Sequence, residues 1–212
     1  MTTVVSPLPV ERIGDAVALL RRSFMHDPIF SHFFPDPPSR SSVFTAFFEM
    51  IVNTHIDLGH VYRAERDGAI VGAAVWRPPD ASDPSEQDRE LEDEALKKVR
   101  AIDPIASDGL MAGFSRLQAG HPADPHWYLF FVGVDPSCQG QGIGEQLLTP
   151  VLRAADAAGT LCYLETPFPR THAFYQRLGF EMRSEENPFT GAPPVWTMIR
   201  APVRVTPAVR PN

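Results

Sequence analysis

The segment that most constrains the fold is an apolar run that leads into a glycine-rich turn and then a helical pattern. The run covers residues 127–134, and Gly140, Gly142 and Gly144 follow within "CQGQGIGEQLL". A run of this composition predicts a strand that is buried on both faces. Apolar residues then recur at helical spacing over residues 143–152. When a glycine-rich turn joins a strand to a helix, the backbone N–H groups of the turn and the positive end of the helix dipole point to the same place. This arrangement predicts a phosphate-binding turn.

The spacing of the glycines excludes two phosphate-binding motifs. A dinucleotide pattern G-x-G-x-x-G that began at Gly140 would need glycine or alanine where Glu145 stands, and one that began at Gly142 would end on Leu147. A Walker loop needs G-K-S or G-K-T, and neither follows these glycines. The pattern that remains is Q-x-x-G-x-G, which starts at Gln139.

Charge and cysteine content exclude further classes of function. The formal net charge is −7 and no block of lysine or arginine occurs, so nucleic-acid binding through phosphate neutralisation is disfavoured. Cys138 and Cys162 are too few for a disulfide framework and lack zinc-finger spacing, so we expect free thiols and no metal site. The sequence has neither a signal-peptide pattern nor a run of about 18 apolar residues. We therefore expect a cytoplasmic protein that does not span a membrane.

Apolar periodicity and turn residues predict helices and strands on both sides of the glycine turn. Asp67-Gly68 lies between two predicted strands within "GHVYRAERDGAIVGAAVWRPPD", and this dipeptide predicts a tight β-hairpin turn. The prolines after Phe24 are expected to interrupt helix formation. The predicted helices cover about residues 9–24, 41–58, 86–102, 143–158 and 169–178, and the later strands cover about 160–165, 181–186 and 195–200. We predict one domain over residues 1–200 and a flexible tail over residues 201–212.

Pro150 and Gly159 carry separate expectations for the helix after the glycine turn. Proline in a regular helix interior costs about 3 kcal/mol, so Pro150 predicts a kink or a distorted turn. Gly159 is expected to cap the carboxyl end of the same helix.

Two segments in the same order resemble the GNAT superfamily of N-acetyltransferases. The first is "FFVGVDPSCQGQGIGEQLL", which carries the acyl-CoA-binding pattern, and the second is "LETPFPRTHAFYQRLGF", similar to a strand and a helix that ends in tyrosine and Leu-Gly-Phe. The stretches "AAVWRPP", "HWYLFFVGVDP" and "YLETPFPR" are also similar to the puromycin N-acetyltransferase group. The resemblance implies an α/β (α+β) fold with a mixed, largely antiparallel twisted sheet, helices on both faces and a splayed central strand pair.

The resemblance also implies a site for acetyl-CoA. The backbone of Val132 and Val134 would pair with the pantetheine arm as an added strand does. The amide of Val132 would donate to the thioester carbonyl, and Tyr175 would protonate the leaving thiolate. The main-chain amides implied to hold the pyrophosphate are those of Gln139, Gly140, Gln141, Gly142, Ile143 and Gly144.

The general base is the least determined part of the site. Some family members carry a glutamate on the strand before the turn, but "WYLFFVGV" has no carboxylate. Glu165 is the catalytic candidate on the next strand, with a structural hydrogen-bonding role as the alternative. Asp27 and Trp76 are candidate substrate contacts, and the alternatives are a turn residue and a strand-packing residue.

The resulting function hypothesis is an acetyl-CoA-dependent N-acetyltransferase that acts on a primary amine of a small molecule, such as an antibiotic or an amine metabolite. Transfer to a protein or peptide amine is an alternative. A non-catalytic acyl-CoA-binding sensor is another, and the presence of Tyr175 weighs against it.

Overall fold

A seven-stranded sheet forms the centre of the molecule in the computed structural model, which describes residues 2–203. The strand order is β1-β2-β3-β4-β5-β7-β6, and every neighbouring pair is antiparallel except β4 and β5. The mixed, largely antiparallel sheet expected from the sequence is confirmed. The strands are β1 (Val4–Pro7), β2 (Val61–Arg66), β3 (Ala69–Arg77), β4 (His126–Val134), β5 (Leu161–Thr166), β6 (Glu181–Glu186) and β7 (Val195–Arg200).

Helices cover both faces of this sheet. The helices are α1 (Ile13–Phe24), α2 (Pro28–Phe33), α3 (Pro37–Ile56), α4 (Glu86–Ile102), α5 (Pro104–Ala119), α6 (Ile143–Ala158) and α7 (His172–Arg177). On one face α1, α2 and α3 build a core rich in phenylalanine, and α4 and α5 pack beside them. On the other face α6 and α7 build a second core against Trp76, Trp127 and Leu129.

The two central strands separate along their length. Parallel pairing of β4 with β5 runs from His126 and Leu161 to Leu129 and Leu164. Beyond this point β4 continues to Val134 and β5 to Thr166 without further pairing between them. The splayed strand pair that the family resemblance implies is therefore present, and its narrow end lies at Leu129 and Leu164.

A bulge in β4 lies directly after Leu129, where the pairing of β4 with β5 ends. Trp76 of β3 pairs with Leu129, whereas Val75 pairs with Phe131, so Phe130 is an extra residue in β4. An extra residue breaks the alternation of side chains between the two faces. As a result Phe130 and Phe131 both contact the core of α1 and α3, while Val132 packs on the side of α6.

The hairpin and the helix after the glycine turn agree with the sequence pattern. Asp67 and Gly68 have φ angles of 51° and 78°, the left-handed values of a two-residue hairpin turn. Gly159, with φ of 68°, caps the carboxyl end of α6. Pro150 lies inside α6, which runs unbroken from Ile143 to Ala158. Burial of four apolar side chains of α6, each worth about 1.5–3 kcal/mol, exceeds the cost of one proline. Those side chains are Ile143, Leu147, Leu148 and Val151.

The first helix ends at Phe24, before the proline-containing segment, as predicted, but two prolines of that segment begin new helices. Pro28 and Pro37 are the first residues of α2 and α3, where a missing N–H costs nothing. Their helices begin on Asp27 and Asp36, whose carboxylates accept backbone N–H bonds. The first helix predicted over 9–24 begins at Ile13, after a short 3₁₀ turn.

The remaining expectations concern the chain termini and the membrane. In residues 2–203 no helix is both long enough and apolar enough to cross a bilayer. Most of the tail predicted over residues 201–212 lies outside the described residues. Val203, inside them, donates its N–H to Asp156 at 2.7 Å.

Candidate active site

The turn between β4 and α6 presents bare backbone at a helix start. Gly140 and Gly142 have φ angles of 74° and 76°, in the left-handed region that favours glycine. A Cβ built on either residue would meet no atom within 4 Å, so the space above the turn is open. No side chain caps the first turn of α6, whose N-cap is Gly142. The amide N–H groups of this turn are therefore available to an anion.

Gly144 has a different role from the other two glycines. A Cβ at this position would lie 3.2 Å from the ring of Phe174, so its absence permits close packing of α7 on α6. Phe174 precedes Tyr175 on α7. The glycine pattern thus also fixes the helix that carries the predicted proton donor beside the turn.

The glutamines of the turn are held by the surrounding chain. Gln139 donates from Nε2 to the carbonyl of Val134 at 3.2 Å, which ties the turn to the end of β4. Gln141 accepts from Nη1 of Arg66 at 2.7 Å, and this contact places a cation next to the turn. Ile143 is buried under the turn, so only its backbone is offered to a ligand.

Tyr175 is buried beside these elements. Its side chain is 7% exposed, and its ring lies 5.0 Å from that of Phe174 and 5.8 Å from that of Phe180. Burial raises the pKa of Tyr175. The phenol therefore keeps its proton throughout the neutral pH range, as a proton donor requires.

A cavity of about 790 Å³ opens on the opposite face of the sheet, between α3, the α4–α5 pair and β4. Its walls are largely aromatic and aliphatic. The carboxylates in its lining, Glu92, Asp93 and Asp124, are exposed. The apolar walls include Phe47, Met50, Leu110, Phe114, Leu117, Phe130 and Phe131.

A group of polar side chains lies at one end of the cavity. This end is close to Leu129 and Leu164, the last residues that pair between β4 and β5. Tyr128 donates from its hydroxyl to Oε2 of Glu165 at 2.7 Å. His121 places Nε2 3.1 Å from Oε1 of Glu165, and its Nδ1 lies 3.3 Å from Nε2 of His126. Glu165 is the first residue of β5 beyond the last β4–β5 pair, and its side chain is 7% exposed. Burial, together with the nearby Glu165 carboxylate, raises the pKa of Tyr128 well above its ordinary value.

The candidate substrate contacts lie elsewhere. Asp27 is buried and caps α2 by accepting from the N–H groups of Ile29 and Phe30 at 2.9 and 3.0 Å. Trp76 is fully buried against Trp127, with ring centroids 6.5 Å apart. Neither side chain lines the cavity. The position of Asp27 agrees with its alternative as a turn residue, and that of Trp76 agrees with its alternative as a strand-packing residue.

Sequence reasoning missed the histidines and Tyr128. His126 and Tyr128 are two residues apart on one strand, so the period of two was a usable signal that they share a face. His121 comes from the loop after α5, and nothing in its local sequence indicates that it meets Glu165. Cys138 and Cys162 are both free thiols, and the described residues contain no group of three side chains suited to hold a metal ion.

Known proteins with similar sequence or fold agree on one class of enzyme. An uncharacterized N-acetyltransferase of Schizosaccharomyces pombe is 26% identical over 179 residues, which cover 78% of this chain and 69% of that protein. The crystal structure of a histone acetyltransferase HPA2 and related acetyltransferase from Corynebacterium glutamicum superposes with a TM-score of 0.68 and 26% identity, over 99% of this chain and 100% of that one. A Drosophila melanogaster polyamine N-acetyltransferase, which forms N-acetylagmatine, shares the fold with a TM-score of 0.57, 17% identity and coverage of 94% and 100%.

The fold and these similarities define the chain as an N-acetyltransferase. It belongs to the acetyltransferase (GNAT) family, whose model matches residues 21–180. The similarity to the puromycin group within this family stays a prediction.

Proposed function

We propose that this enzyme transfers an acetyl group from acetyl-CoA to the primary amine of a small molecule. The observation that carries the proposal is the separation of β4 from β5 beyond Leu129 and Leu164. The bare turn lies at the far end of β4, and the cavity reaches the same strand from the opposite face at Phe130. An extended donor between the strands and an amine in the cavity would therefore approach each other at this opening.

The donor side rests on main-chain groups. The family generally uses acetyl-CoA. The open turn from Gln139 to Gly144 fits a pyrophosphate, and Arg66 adds a positive charge beside it. The free edge of β4 at Val132 and Val134 suits the amide-bearing pantetheine arm, and the amide of Val132 would polarise the thioester carbonyl.

The acceptor side favours a small molecule over a protein. The cavity of about 790 Å³ is lined by residues of α3, α4, α5 and β4, and a concave pocket of this volume suits a small molecule. Its aromatic and aliphatic walls favour an amine with an apolar body, because hydroxyl groups placed there would lose their hydrogen bonds to water. The Drosophila relative of the same fold also has a small amine as its substrate.

The transfer needs a neutral amine and a proton for the leaving thiolate. An alkylamine with a pKa of about 10.4 is neutral in only about one molecule in 2,500 at pH 7, a penalty of about 4.6 kcal/mol. A group that removes the ammonium proton contributes about 10²–10⁴-fold in rate. Tyr175, which keeps its proton at neutral pH, would protonate the thiolate.

A thiol-release assay with acetyl-CoA tests this function. We expect release of free thiol with 2-phenylethylamine, product mass higher by one acetyl group, and at least tenfold lower kcat/KM with glucosamine, whose body is hydroxylated. Saturable acetyl-CoA binding without thiol release across a broad panel of amines would instead support the sensor. Acetylation of peptide lysine with higher kcat/KM than any small amine would support the protein acetyltransferase.

A further inference from the structure

The polar end of the cavity contains a histidine with a paired carboxylate that the donor site does not use. His121 lines the cavity, and its side chain is 10% exposed. Glu165 lies behind it and is bound by Tyr128. We propose that His121 takes the proton of the acceptor ammonium and that Glu165 positions His121 for this step. The proposal rests on the acetyl transfer proposed above.

The hydrogen bonds around His121 determine which nitrogen is free. Nδ1 of His126 lies 2.8 Å from the carbonyl oxygen of Asp124, which can only accept, so His126 carries its hydrogen on Nδ1. Nε2 of neutral His126 then accepts from Nδ1–H of His121 at 3.3 Å. Burial is the main cause that lowers the pKa of His126 and keeps it neutral. Neutral His121 therefore has its lone pair on Nε2.

Glu165 lies where its carboxylate would contact a proton on that nitrogen. Oε1 of Glu165 is buried, and two groups that can donate lie close to the carboxylate, Nε2 of His121 at 3.1 Å from Oε1 and the buried hydroxyl of Tyr163. A buried carboxylate oxygen without a donor costs free energy, and an N–H formed on Nε2 would supply one after a small rotation of the ring. Glu165 does not line the cavity, since its Oε1 is buried and its Oε2 is bound by Tyr128, so the amine would meet His121 and not Glu165.

Other ionisable groups face His121 from each neighbouring element. From β5 the ring of Tyr163 lies 4.7 Å away, and from β4 the ring of Tyr128 lies 4.5 Å away. Arg183 of β6 lies behind Tyr163, 5.9 Å from its ring. Glu165 is thus the anion that contacts the imidazole, and Arg183 is separated from it by an aromatic ring.

The step balances as follows in protons and bonds. The ammonium gives one proton to Nε2 of His121, and the neutral amine nitrogen forms a bond to the thioester carbonyl carbon. The carbon–sulfur bond breaks, and Tyr175 gives its proton to the thiolate and regains one from the new amide nitrogen. His121 then releases its proton to solvent at the cavity surface.

Two variants and a pH profile test the role of His121. His121→Gln should lower kcat/KM at pH 7 by about 100-fold, the scale of general base catalysis, and remove the acidic limb of the kcat/KM profile. Affinity for acetyl-CoA, measured by calorimetry, should stay unchanged. His32→Gln, at an exposed histidine of α2, is the matched control and should behave as wild type. Wild-type kcat/KM with a retained acidic limb in His121→Gln would overturn the proposal.

The Glu165→Gln variant tests whether Glu165 positions His121. A neutral amide stabilises the imidazolium less than a carboxylate does, so the acidic limb should move to lower pH while kcat falls. A limb that stays in place while kcat falls would show a purely structural role for Glu165. Glu90→Gln, at an exposed glutamate of α4, is the control.

Nitrogen-15 NMR of histidine-labelled wild-type protein tests the resting state without turnover. We expect neutral His121 as the Nδ1–H tautomer, and a neutral Nε2–H tautomer would contradict the proposal. The NMR measurement tests the tautomer of His121 without any turnover. It can therefore support or contradict the role of His121 even if no amine releases thiol and the proposed acetyl transfer fails.

Discussion

At the scale of single residues, the glycines of the turn divide into two kinds. Gly140 and Gly142 supply left-handed backbone under open space, and Gly144 supplies room for Phe174. The sequence pattern treats all three alike, because spacing carries no information on the neighbour of each Cα. The open turn was therefore predictable from the sequence, and the packing role of Gly144 was not.

Gly142→Val should weaken acetyl-CoA binding by at least tenfold. A β-branched residue at φ of 76° is strained, and its methyl groups would fill the space above the turn. Isothermal calorimetry measures the effect. Gly159→Val is a matched control, since Gly159 has φ of 68° with equally open surroundings at the other end of α6. It should lose stability and keep affinity, and equal loss of affinity in both variants would contradict the binding role of the turn.

Tyr175→Phe should keep acetyl-CoA affinity and lower kcat by about 100-fold, because only the proton donor is removed. The ring contacts with Phe174 and Phe180 remain, so we expect little change in the folded structure. Steady-state kinetics with several amines measures the loss. Tyr62→Phe, on β2, is the control, and undiminished turnover in Tyr175→Phe would reject the assignment.

At the scale of helices and strands, aspartate followed by proline marks three helix starts. Asp27, Asp36 and Asp103 each accept backbone N–H bonds, and the proline after each is the first helical residue. The apolar strand, the hairpin and α6 were predictable because their periodicity is long or their turn residues are specific. The start of α2 was missed because its proline was taken as a breaker and not as a first-turn residue, and the same Asp-Pro pattern would have indicated the start of α5.

The cap of α2 predicts a pH dependence of stability. Burial is the largest cause that raises the pKa of Asp27 to about 6, above the ordinary value of 3.8. Because the folded-state pKa is the higher one, folding favours the protonated form. The contribution of Asp27 to stability is full below about pH 4 and is lost as pH rises through about 6, which amounts to about 3 kcal/mol.

Asp27→Asn should remove this dependence, because asparagine caps a helix without a charge. The difference in free energy of unfolding between wild type and variant should change by about 2 kcal/mol from pH 4 to pH 7, in favour of the variant at pH 7. Urea unfolding at several pH values measures it. A difference that is constant with pH would show that Asp27 titrates normally in the folded protein.

At the scale of the whole molecule, the proposed donor half and acceptor half lie on opposite faces of one sheet, and in the proposal they meet where β4 and β5 separate. The donor half follows a local motif, so the sequence predicts it. The acceptor half joins α3, α5, β4 and β5, and the bulge at Phe130 changes which side chains face it. No local sequence pattern predicts a contact between residues as distant in sequence as His121 and Glu165.

This division predicts that the two halves respond separately to substitution. Leu117→Glu places a carboxylate in the apolar wall and should lower kcat/KM for 2-phenylethylamine at least fivefold, with acetyl-CoA affinity unchanged. Kinetics and calorimetry on the same preparation measure both. Ala112→Glu, on an exposed position of α5, is the control. Equal losses for amine and acetyl-CoA would contradict separate halves.

The register of β3 with β4 has a consequence for how such enzymes diversify. Arg77, the last residue of β3, pairs with Tyr128 near the start of β4, so residues 78–125 leave and re-enter the sheet at adjacent positions. A short hairpin loop joins such strand ends in other proteins. The α4–α5 segment is therefore a single connection between neighbouring strand ends, and it lines the cavity proposed for the amine. Replacing this connection would change the walls of the proposed amine cavity and leave the strand, turn and helix proposed for acetyl-CoA unaltered.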